Sequence, residues 1–312
     1  MSRELSVAVV QSGELTTDLE TNLVRLGDLI REAAAPGSRG RVPDLIVLPE
    51  LTATPYFCGS RDIDYRSWAQ PIPGDVTNSF AVLAAELGVA IAFGLYERTP
   101  QGIFHNAAAI VDNNGALITW HLPYGHTSRS YRKLSLPVAR IGGIEVDERR
   151  WFSPGQAPAV VDLAGTRIGC VICYDRSFPE YWAVERLLGA EIVIVIVSSL
   201  GSREDLFLAE LRTRAMESQT WVVAANRAGR ETLGGETADY FGLSAVVRPD
   251  GHIVAQAPAH RANVIIRACL ALDEVGYVRD RLPLGHDRRA DVLEQLATLA
   301  VDEHAITREH PD

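Results

Sequence analysis

The sequence predicts an α/β protein built from two similar halves, each with a mixed β-sheet. Short runs rich in Val and Ile, bounded by turn residues, alternate with longer runs of helical period. This alternation predicts βαβ units with buried strands, and turn signals late in each half predict hairpins that add antiparallel strands. No linker rich in Pro, Gly and Ser separates the halves, so we expect one compact domain.

The first half begins with an apolar strand and alternates from there. Strands are predicted at residues 5–10, 44–48 and 89–95, helices at 18–35 and 77–87, and a hairpin at 113–115. The second strand is continuous and apolar and ends at Pro49-Glu50. We therefore expect it to be buried on both faces, with Glu50 at its carboxyl end.

The second half repeats this order. Strands are predicted at residues 166–172, 192–197 and 221–225, helices at 178–188 and 204–218, and a hairpin at 249–251. We expect a single domain over residues 1–273. Residues 274–312 have polar and helical character, and we expect this extension to be peripheral or used in assembly.

Composition excludes several classes of partner. The 312 residues are 47% hydrophobic, and the net charge of -10 with a pI near 5.3 argues against nucleic acid or an anionic membrane. No stretch approaches the roughly 20 apolar residues of a membrane helix, and the start lacks a secretory signal. Four scattered cysteines are too few for a disulfide framework, so we expect a cytoplasmic protein.

Two reactive residue types stand just beyond predicted strands. Glu50 follows one and Cys173 another, and ligands of α/β sheets bind outside such strand ends. Each has a simpler interpretation, as a solvated turn residue and as a small buried hydrophobe. Cys173 lies between a strand and a helix that Ser177 could cap, with Pro179 in the first turn, a position expected to favour thiolate.

The spacing of Cys170 and Cys173 also suggests a redox pair or a zinc site. A redox pair needs its attacking cysteine at a helix start, whereas Cys170 lies inside the strand and pleating turns the two side chains to opposite faces. Zinc would need two further ligands, and the sequence has no second Cys-x-x-Cys. His121 and His126 are a weak metal pair, so we expect no metal and no cofactor.

Lys133 is the only lysine in the chain; the other cationic side chains are arginines. This can be an accident of composition. A lysine is a compact point charge, however, and suits a tight pocket that neutralises one developing oxyanion better than a flat guanidinium does.

Three motifs together resemble the nitrilase, or carbon–nitrogen hydrolase, superfamily. They are Leu48-Pro49-Glu50, Tyr131-Arg132-Lys133 and Gly169-Cys170-Val171-Ile172-Cys173-Tyr174-Asp175, the last followed by Phe178-Pro179-Glu180. The resemblance covers the chain from residue 7 to about residue 273. It implies a four-layer αββα sandwich of two mixed sheets, and an assembly that is a homodimer or larger.

The resemblance also implies a catalytic triad of Glu50, Lys133 and Cys173. Glu50 would be the general base, Cys173 the nucleophile, and Lys133 with the backbone N–H of Tyr174 the oxyanion donors. Glu148 matches a second glutamate of the family and would orient Lys133 or the substrate; the alternative is a surface charge. Ser135 stands where the family commonly has histidine, and residues 121–126 look like an insertion.

The substrate is predicted from the neighbours of Cys173. Arg176 resembles the arginine of N-carbamoyl-D-amino acid hydrolases that faces the substrate carboxylate, although it could instead pair with Glu180 at i+4. Ser198 and Ser199 are expected to line the same pocket, with Tyr56 nearby.

Together these features predict a cysteine-dependent hydrolase that releases ammonia from a small linear amide or N-carbamoyl compound. An N-carbamoyl amino acid is the leading candidate. Two alternatives remain: a nitrilase that acts on a nitrile, and a catalytically silent binding or scaffold protein of the same fold.

Overall fold

The computed structural model describes residues 3–37, 40–60 and 63–309. Within these ranges the first half contributes two α-helices and seven strands. They are β1 (Glu4–Gln11), α1 (Leu19–Ala34), β2 (Leu45–Val47), α2 (Asp75–Leu87), β3 (Ala90–Arg98), β4 (Phe104–Val111), β5 (Trp120–His121), β6 (Thr127–Ser128) and β7 (Tyr131–Arg132).

The rest of the described chain contributes four α-helices and eleven strands. They are β8 (Val138–Ile141), β9 (Ile144–Asp147), β10 (Val160–Leu163), β11 (Thr166–Ile172), α3 (Pro179–Leu187), β12 (Ile192–Ile196), α4 (Glu204–Ser218), β13 (Trp221–Ala225), β14 (Ala228–Leu233), β15 (Glu236–Phe241), β16 (Ala245–Val247), β17 (Ile253–Gln256), β18 (Val264–Ala271), α5 (Asp273–Arg281) and α6 (Ala290–Glu309).

Two large mixed sheets form the centre of the protein. One has the order β18-β1-β2-β3-β4-β7 and the other β17-β16-β13-β12-β11-β10-β5-β6. In each sheet three consecutive strands run parallel, β1-β2-β3 and β11-β12-β13, and antiparallel strands flank them. The two halves are therefore built on the same plan, as the sequence predicts.

The sheets pack face to face and the helices cover their outer faces. Side chains from both sheets, such as Val47 and Ile194, form one buried core between them. On the outer faces α1 and α2 bury Ile30 and Phe80 against the first sheet, and α4 buries Phe207 against the second. The expected four-layer αββα sandwich is confirmed.

Local sequence explains where the helices begin and end. The side chain of Asp18 accepts a hydrogen bond from the N–H of Thr21 at 2.8 Å and caps α1. Gly88 ends α2 in the left-handed conformation, φ 68°, which glycine adopts without strain. In α3 Pro179 is the first residue, as expected, but Phe178 is the N-cap, so the predicted cap by Ser177 is wrong. Ser177 instead ends a short 3₁₀ helix, Cys173–Ser177.

Several elements were not predicted from the sequence. The hairpins β8–β9 and β14–β15 form two-stranded sheets of their own. Residues 121–126 lead into β6, which pairs with β5 at the edge of the second sheet. Of the two predicted hairpins, β16–β17 forms around Gly251, whereas the turn at Gly115 is closed by a single bridge between Val111 and Leu117.

The C-terminal stretch is helical, as expected, and its use in assembly stays a prediction. It consists of α5 and α6. None of the helices within the described ranges combines the length and the apolar character needed to cross a bilayer.

Gly94 in β3 lies directly beneath the chain that follows β2. Its N–H donates to the carbonyl of Pro49 at 3.1 Å, and its carbonyl accepts from the N–H of Thr52 at 2.9 Å. A Cβ at this position would lie 2.6 Å from the nitrogen of Leu51 and 2.7 Å from the Cα of Glu50. Because both neighbours are backbone atoms, the segment that carries Glu50 would have to move.

We therefore expect Gly94→Ala to lower the free energy of unfolding by about 1–3 kcal/mol, the usual effect of overpacking. The matched control is Gly276→Ala in α5, where a Cβ meets nothing within 4 Å and where alanine should stabilise the helix by up to about 1 kcal/mol. Urea unfolding of both variants checks this. Equal stability of the two would show that the contact at Gly94 is not tight.

Candidate active site

Three of the predicted residues meet where strands of the two sheets end. Glu50 follows β2, Lys133 follows β7 and Cys173 follows β11. They are far apart in the chain, and the face-to-face packing of the sheets brings these ends together. The turn after β12 adds Ser198, whose N–H donates to Oε2 of Glu50 at 2.8 Å.

Lys133 is completely buried between two carboxylates. Its Nζ lies 2.9 Å from Oε1 of Glu50 and 2.6 Å from Oε1 of Glu148, and all three side chains have no solvent exposure. The interpretation of Glu148 as a surface charge is therefore wrong. A buried ammonium needs such partners, because removing one from a buried pair typically costs about 3–5 kcal/mol.

Neutral donors complete the shell of Glu50. Nδ2 of Asn106 donates to Oε1 at 2.7 Å, in addition to the backbone N–H of Ser198 on Oε2. The guanidinium of Arg227, itself buried, donates to the carbonyls of Glu50, Leu51 and Thr54. The carboxylate and its backbone are thus both held in place.

Cys173 has an unusual backbone conformation. Its φ is 49°, in the left-handed region that residues with a Cβ rarely adopt, and such strain is concentrated at functional sites. The residue starts the 3₁₀ helix that contains Tyr174, and first-turn N–H groups of a helix lack partners inside it. Cys170 is buried in the core between the sheets, whereas Cys173 lines a cavity, so the two thiols do face different surroundings.

The structure corrects the expected thiolate. Burial raises the pKa of Cys173 to about 11, and the nearby Glu50 carboxylate raises it too, against the smaller opposing effects of Lys133 and Arg176. The thiol is therefore protonated at neutral pH. Because a thiolate is the stronger nucleophile, reaction at this residue needs a base within reach.

The two glutamates have pKa values that are pushed apart. Burial opposes ionisation of Glu50, but Lys133 and the hydrogen bonds from Lys133, Asn106 and Cys173 hold its pKa below the ordinary value. Burial raises the pKa of Glu148 to about 7, in spite of Lys133 and with a contribution from the Glu50 charge. Glu50 is thus the carboxylate that stays ionised, and the pKa of Lys133 is raised by both neighbours against the effect of burial.

Asp175 ties the lysine segment to the cysteine turn. Its carboxylate accepts hydrogen bonds from the N–H groups of Leu134 at 3.1 Å and Ser135 at 2.8 Å, and from the hydroxyl of Tyr131 at 3.2 Å. Burial raises its pKa to about 6. The position of Lys133 relative to Cys173 therefore depends on this side chain two residues after the cysteine.

The remaining predicted residues surround the cavity at Cys173. It contains at most about 530 Å³ of empty space and is lined by Tyr56, Ser198, Ser199, Arg176 and parts of the β8–β9 hairpin. The tyrosine hydroxyl donates to Oε1 of Glu148 at 2.7 Å, and the N–H of Ser199 donates to Oδ1 of Asn226 at 2.9 Å. These residues line the pocket as predicted, but the hydrogen bonds of Tyr56 and Ser199 are made to other residues of the site.

Of the two partners expected for Arg176, the ion pair with Glu180 is wrong, and the contact with a substrate carboxylate stays a prediction. Arg176 pairs with Glu210 of α4, Nε to Oε2 at 2.7 Å, and not with Glu180. Its Nη1 donates to the carbonyl of Cys173 at 2.8 Å and lies 3.9 Å from the sulfur. Much of its hydrogen-bonding capacity therefore serves the cysteine turn.

Sequence reasoning missed Asn106, Asp175 and Arg227 as parts of the site. Asn106 is a polar residue within the otherwise apolar strand β4, a signal that could have marked it. Arg227 is the second residue after β13, and Glu50 and Cys173 likewise follow their own strands closely. The effect of Asp175 depends on contacts about 40 residues away along the chain, which no local pattern reveals.

The described structure thus combines a four-layer αββα sandwich with a buried glutamate–lysine pair near a cysteine, the arrangement that the resemblance in the sequence implies. The model of the carbon-nitrogen hydrolase family matches residues 6–279 of this chain. The chain belongs to that family, and the resemblance seen in the sequence is confirmed.

Two similar proteins illustrate its relatives. An N-carbamoylputrescine amidase of Oryza sativa subsp. japonica is 31% identical over 310 residues, which cover 95% of each chain. A citrullinase of Francisella tularensis is 28% identical over 94% of this chain and 98% of its own. Among solved structures, a carbon-nitrogen hydrolase from Helicobacter pylori G27 superimposes with a TM-score of 0.82 at 22% identity, covering 95% of this chain and 99% of that one.

The raised pKa of Glu148 predicts a pH-dependent stability. In the unfolded chain this carboxyl ionises near 4.5, and in the folded protein near 7. Its favourable contribution is therefore complete below pH 4.5 and is lost as pH rises through 7, a loss of up to about 3 kcal/mol. Glu148→Gln removes this titration but keeps an oxygen for Lys133.

We expect the variant to gain stability relative to wild type between pH 5 and pH 8, measured by urea unfolding at each pH. The comparison with wild type cancels other groups, such as Asp175, that titrate in the same window. A stability difference that does not change with pH would mean that Glu148 is already ionised at pH 5.

Proposed function

We propose that this enzyme hydrolyses a small linear amide or N-carbamoyl compound and releases ammonia, with Cys173 as the nucleophile. The observation that supports this most directly is that Cys173 lines a small cavity and has beside it the carboxylate of Glu50, which is paired with a buried ammonium. Such a set contains a nucleophile, a base and an oxyanion donor.

The first chemical step would transfer the thiol proton to Glu50 while sulfur attacks the carbonyl or ureido carbon. Since the pKa of the thiol is about 11, proton loss and attack have to be coupled. The carbonyl oxygen gains negative charge, and the Lys133 ammonium and the N–H of Tyr174 are the donors proposed to stabilise it, each typically by about 3–4 kcal/mol.

Glu50 would then return the proton to the leaving nitrogen. The carbon–nitrogen bond breaks, ammonia departs, and a thioester, or a thiocarbamate from a ureido substrate, remains on Cys173. Glu50 next takes a proton from water, whose oxygen attacks the same carbon. The carbon–sulfur bond then breaks, and Glu50 gives its proton to the departing sulfur, which restores the thiol. A carboxylic acid is formed from an amide, and a carbamate that loses CO2 from a ureido compound.

Glu148 is proposed to position Lys133. It accepts a hydrogen bond from the ammonium at 2.6 Å, in addition to the one that Glu50 accepts, and its own position is fixed by the hydroxyl of Tyr56. Two carboxylates on one ammonium restrict its direction, which matters because an oxyanion donor acts only at short distance.

The relatives support the proposed substrate class. The names of the rice and Francisella proteins indicate N-carbamoyl and ureido substrates, and both are similar to this chain over nearly its full length. The limited cavity volume agrees with a small molecule.

Ammonia release over a panel of carbamoyl amino acids, simple amides and nitriles tests the proposal. We expect Cys173→Ala to reduce release by at least about 10⁴-fold, because removal of a nucleophile leaves only binding and oxyanion stabilisation. Cys269→Ala in β18 is the matched control and should be fully active.

Two results would contradict this. Release from nitriles alone would make the protein a nitrilase. Release that Cys173→Ala leaves unchanged, in a variant with wild-type thermal stability, would exclude Cys173 as the nucleophile.

A further inference from the structure

The charged side chains that line the cavity at Cys173 have one sign. Within the described part of the chain they are Arg176 and Arg203, and no carboxylate lines the cavity walls. The whole chain has a net charge of -10, so two cations in the cavity wall run against the general composition. The carboxylates near Cys173 are each paired with a cation, Glu50 and Glu148 with Lys133, and Glu210 with Arg176. A cavity with this lining attracts an anionic group and disfavours a cationic one.

The two arginines differ in how much of their charge is available. Arg176 is 8% exposed and is neutralised by Glu210, and its Nη1 is used by the carbonyl of Cys173. Its Nη2 makes no hydrogen bond with any described residue. The Nη2 group of this nearly buried guanidinium is therefore left for a ligand. It brings little net charge, because Glu210 neutralises the guanidinium.

Arg203 has its full charge available. It is exposed, directly precedes α4, and its side chain makes neither a capping hydrogen bond nor an ion pair with the residues that the structure describes. It belongs to the same turn after β12 as Ser198 and Ser199, which also line the cavity. Arg203 thus lies five positions after Ser198, the serine whose N–H donates to Glu50.

The β8–β9 hairpin closes the cavity near Arg203. Ile141 and Val146 of the hairpin form part of the wall, and the Cα of Gly142 would meet a Cβ on Gly201 at 3.0 Å. The turn that carries Arg203 is therefore packed against the β8–β9 hairpin. A guanidinium on a fixed turn loses less entropy on binding than one on a loose loop.

We propose that Arg203 binds a carboxylate of the substrate, and that Arg176 acts mainly as a positioning residue for the cysteine turn. This inference rests on the proposed function and narrows its substrate class. The substrate would carry its carboxylate at one end and its carbamoyl or amide group at the other, which reaches Cys173. An N-carbamoyl amine with a protonated second amine fits this cavity poorly.

Three carbamoyl compounds of similar size test the proposal: an N-carbamoyl amino acid, its uncharged methyl ester, and an N-carbamoyl diamine. Ammonia release is the readout, so ester cleavage does not interfere. We expect Arg203→Gln to raise KM for the acid about tenfold, the value of one charge-assisted interaction at an exposed site, with kcat nearly unchanged. KM for the ester should change less than about twofold, because the ester makes no charge-assisted contact.

Arg203→Lys and Arg203→Glu refine the result. Lysine keeps the charge and should restore most of the affinity for the acid, and glutamate should shift the preference towards the diamine. Arg25→Gln removes an equally exposed arginine from α1, in the outer layer of the first sheet, and should leave all three substrates unaffected. An equal rise of KM for acid and ester after Arg203→Gln would overturn the proposal.

Binding measurements separate this inference from the proposed function. Calorimetry with Cys173→Ala, alone and combined with Arg203→Gln, needs no turnover. Binding of the acid that weakens about tenfold in the double variant supports the carboxylate site even if wild type releases no ammonia. Binding of the acid that is unaffected by Arg203→Gln overturns it even if the enzyme is active.

Discussion

Lys133 places a positive charge where water does not reach, and the site depends on how that charge is balanced. Glu50 at 2.9 Å and Glu148 at 2.6 Å are its ion-pair partners. A buried charge without such partners would be severely destabilising. The folded protein is therefore stable only when the segments that carry these three residues lie next to one another. The same arrangement leaves Glu50 ionised next to a thiol that is protonated, which is what coupled proton transfer and attack need.

The two similar halves deliver these segments. Each parallel trio ends at the same edge of its sheet, and face-to-face packing sets the end of β2 opposite the ends of β11 and β12. Close backbone contacts then fix the base: Gly94 lies under the chain at Glu50, and the N–H of Ser198 holds its carboxylate. The fold thus confines rotation of a side chain that has to face both an ammonium and a sulfur.

The local sequence pattern was sufficient to locate site residues that lie at strand ends or in compact motifs. Glu50 and Cys173 could be located because continuous apolar strands end there, and Lys133 because it is the only lysine. Properties set by distant groups could not be read in this way. The pKa of Cys173 depends on burial and on Glu50, and the partner of Arg176 lies 34 residues away in Glu210. The N-cap of α3 is Phe178, and Ser177 is the last residue of the preceding 3₁₀ helix.

The most direct test is mass spectrometry of the intact protein and of its Cys173 peptide, after quenching within the first turnover of a good amide or carbamoyl substrate. We expect a covalent adduct on the Cys173 peptide with the mass of the substrate less ammonia. This adduct should appear together with a burst of ammonia equal to the enzyme concentration if deacylation is slower. A burst of ammonia without any adduct at Cys173 would contradict this, because such a burst shows that deacylation is the slower step.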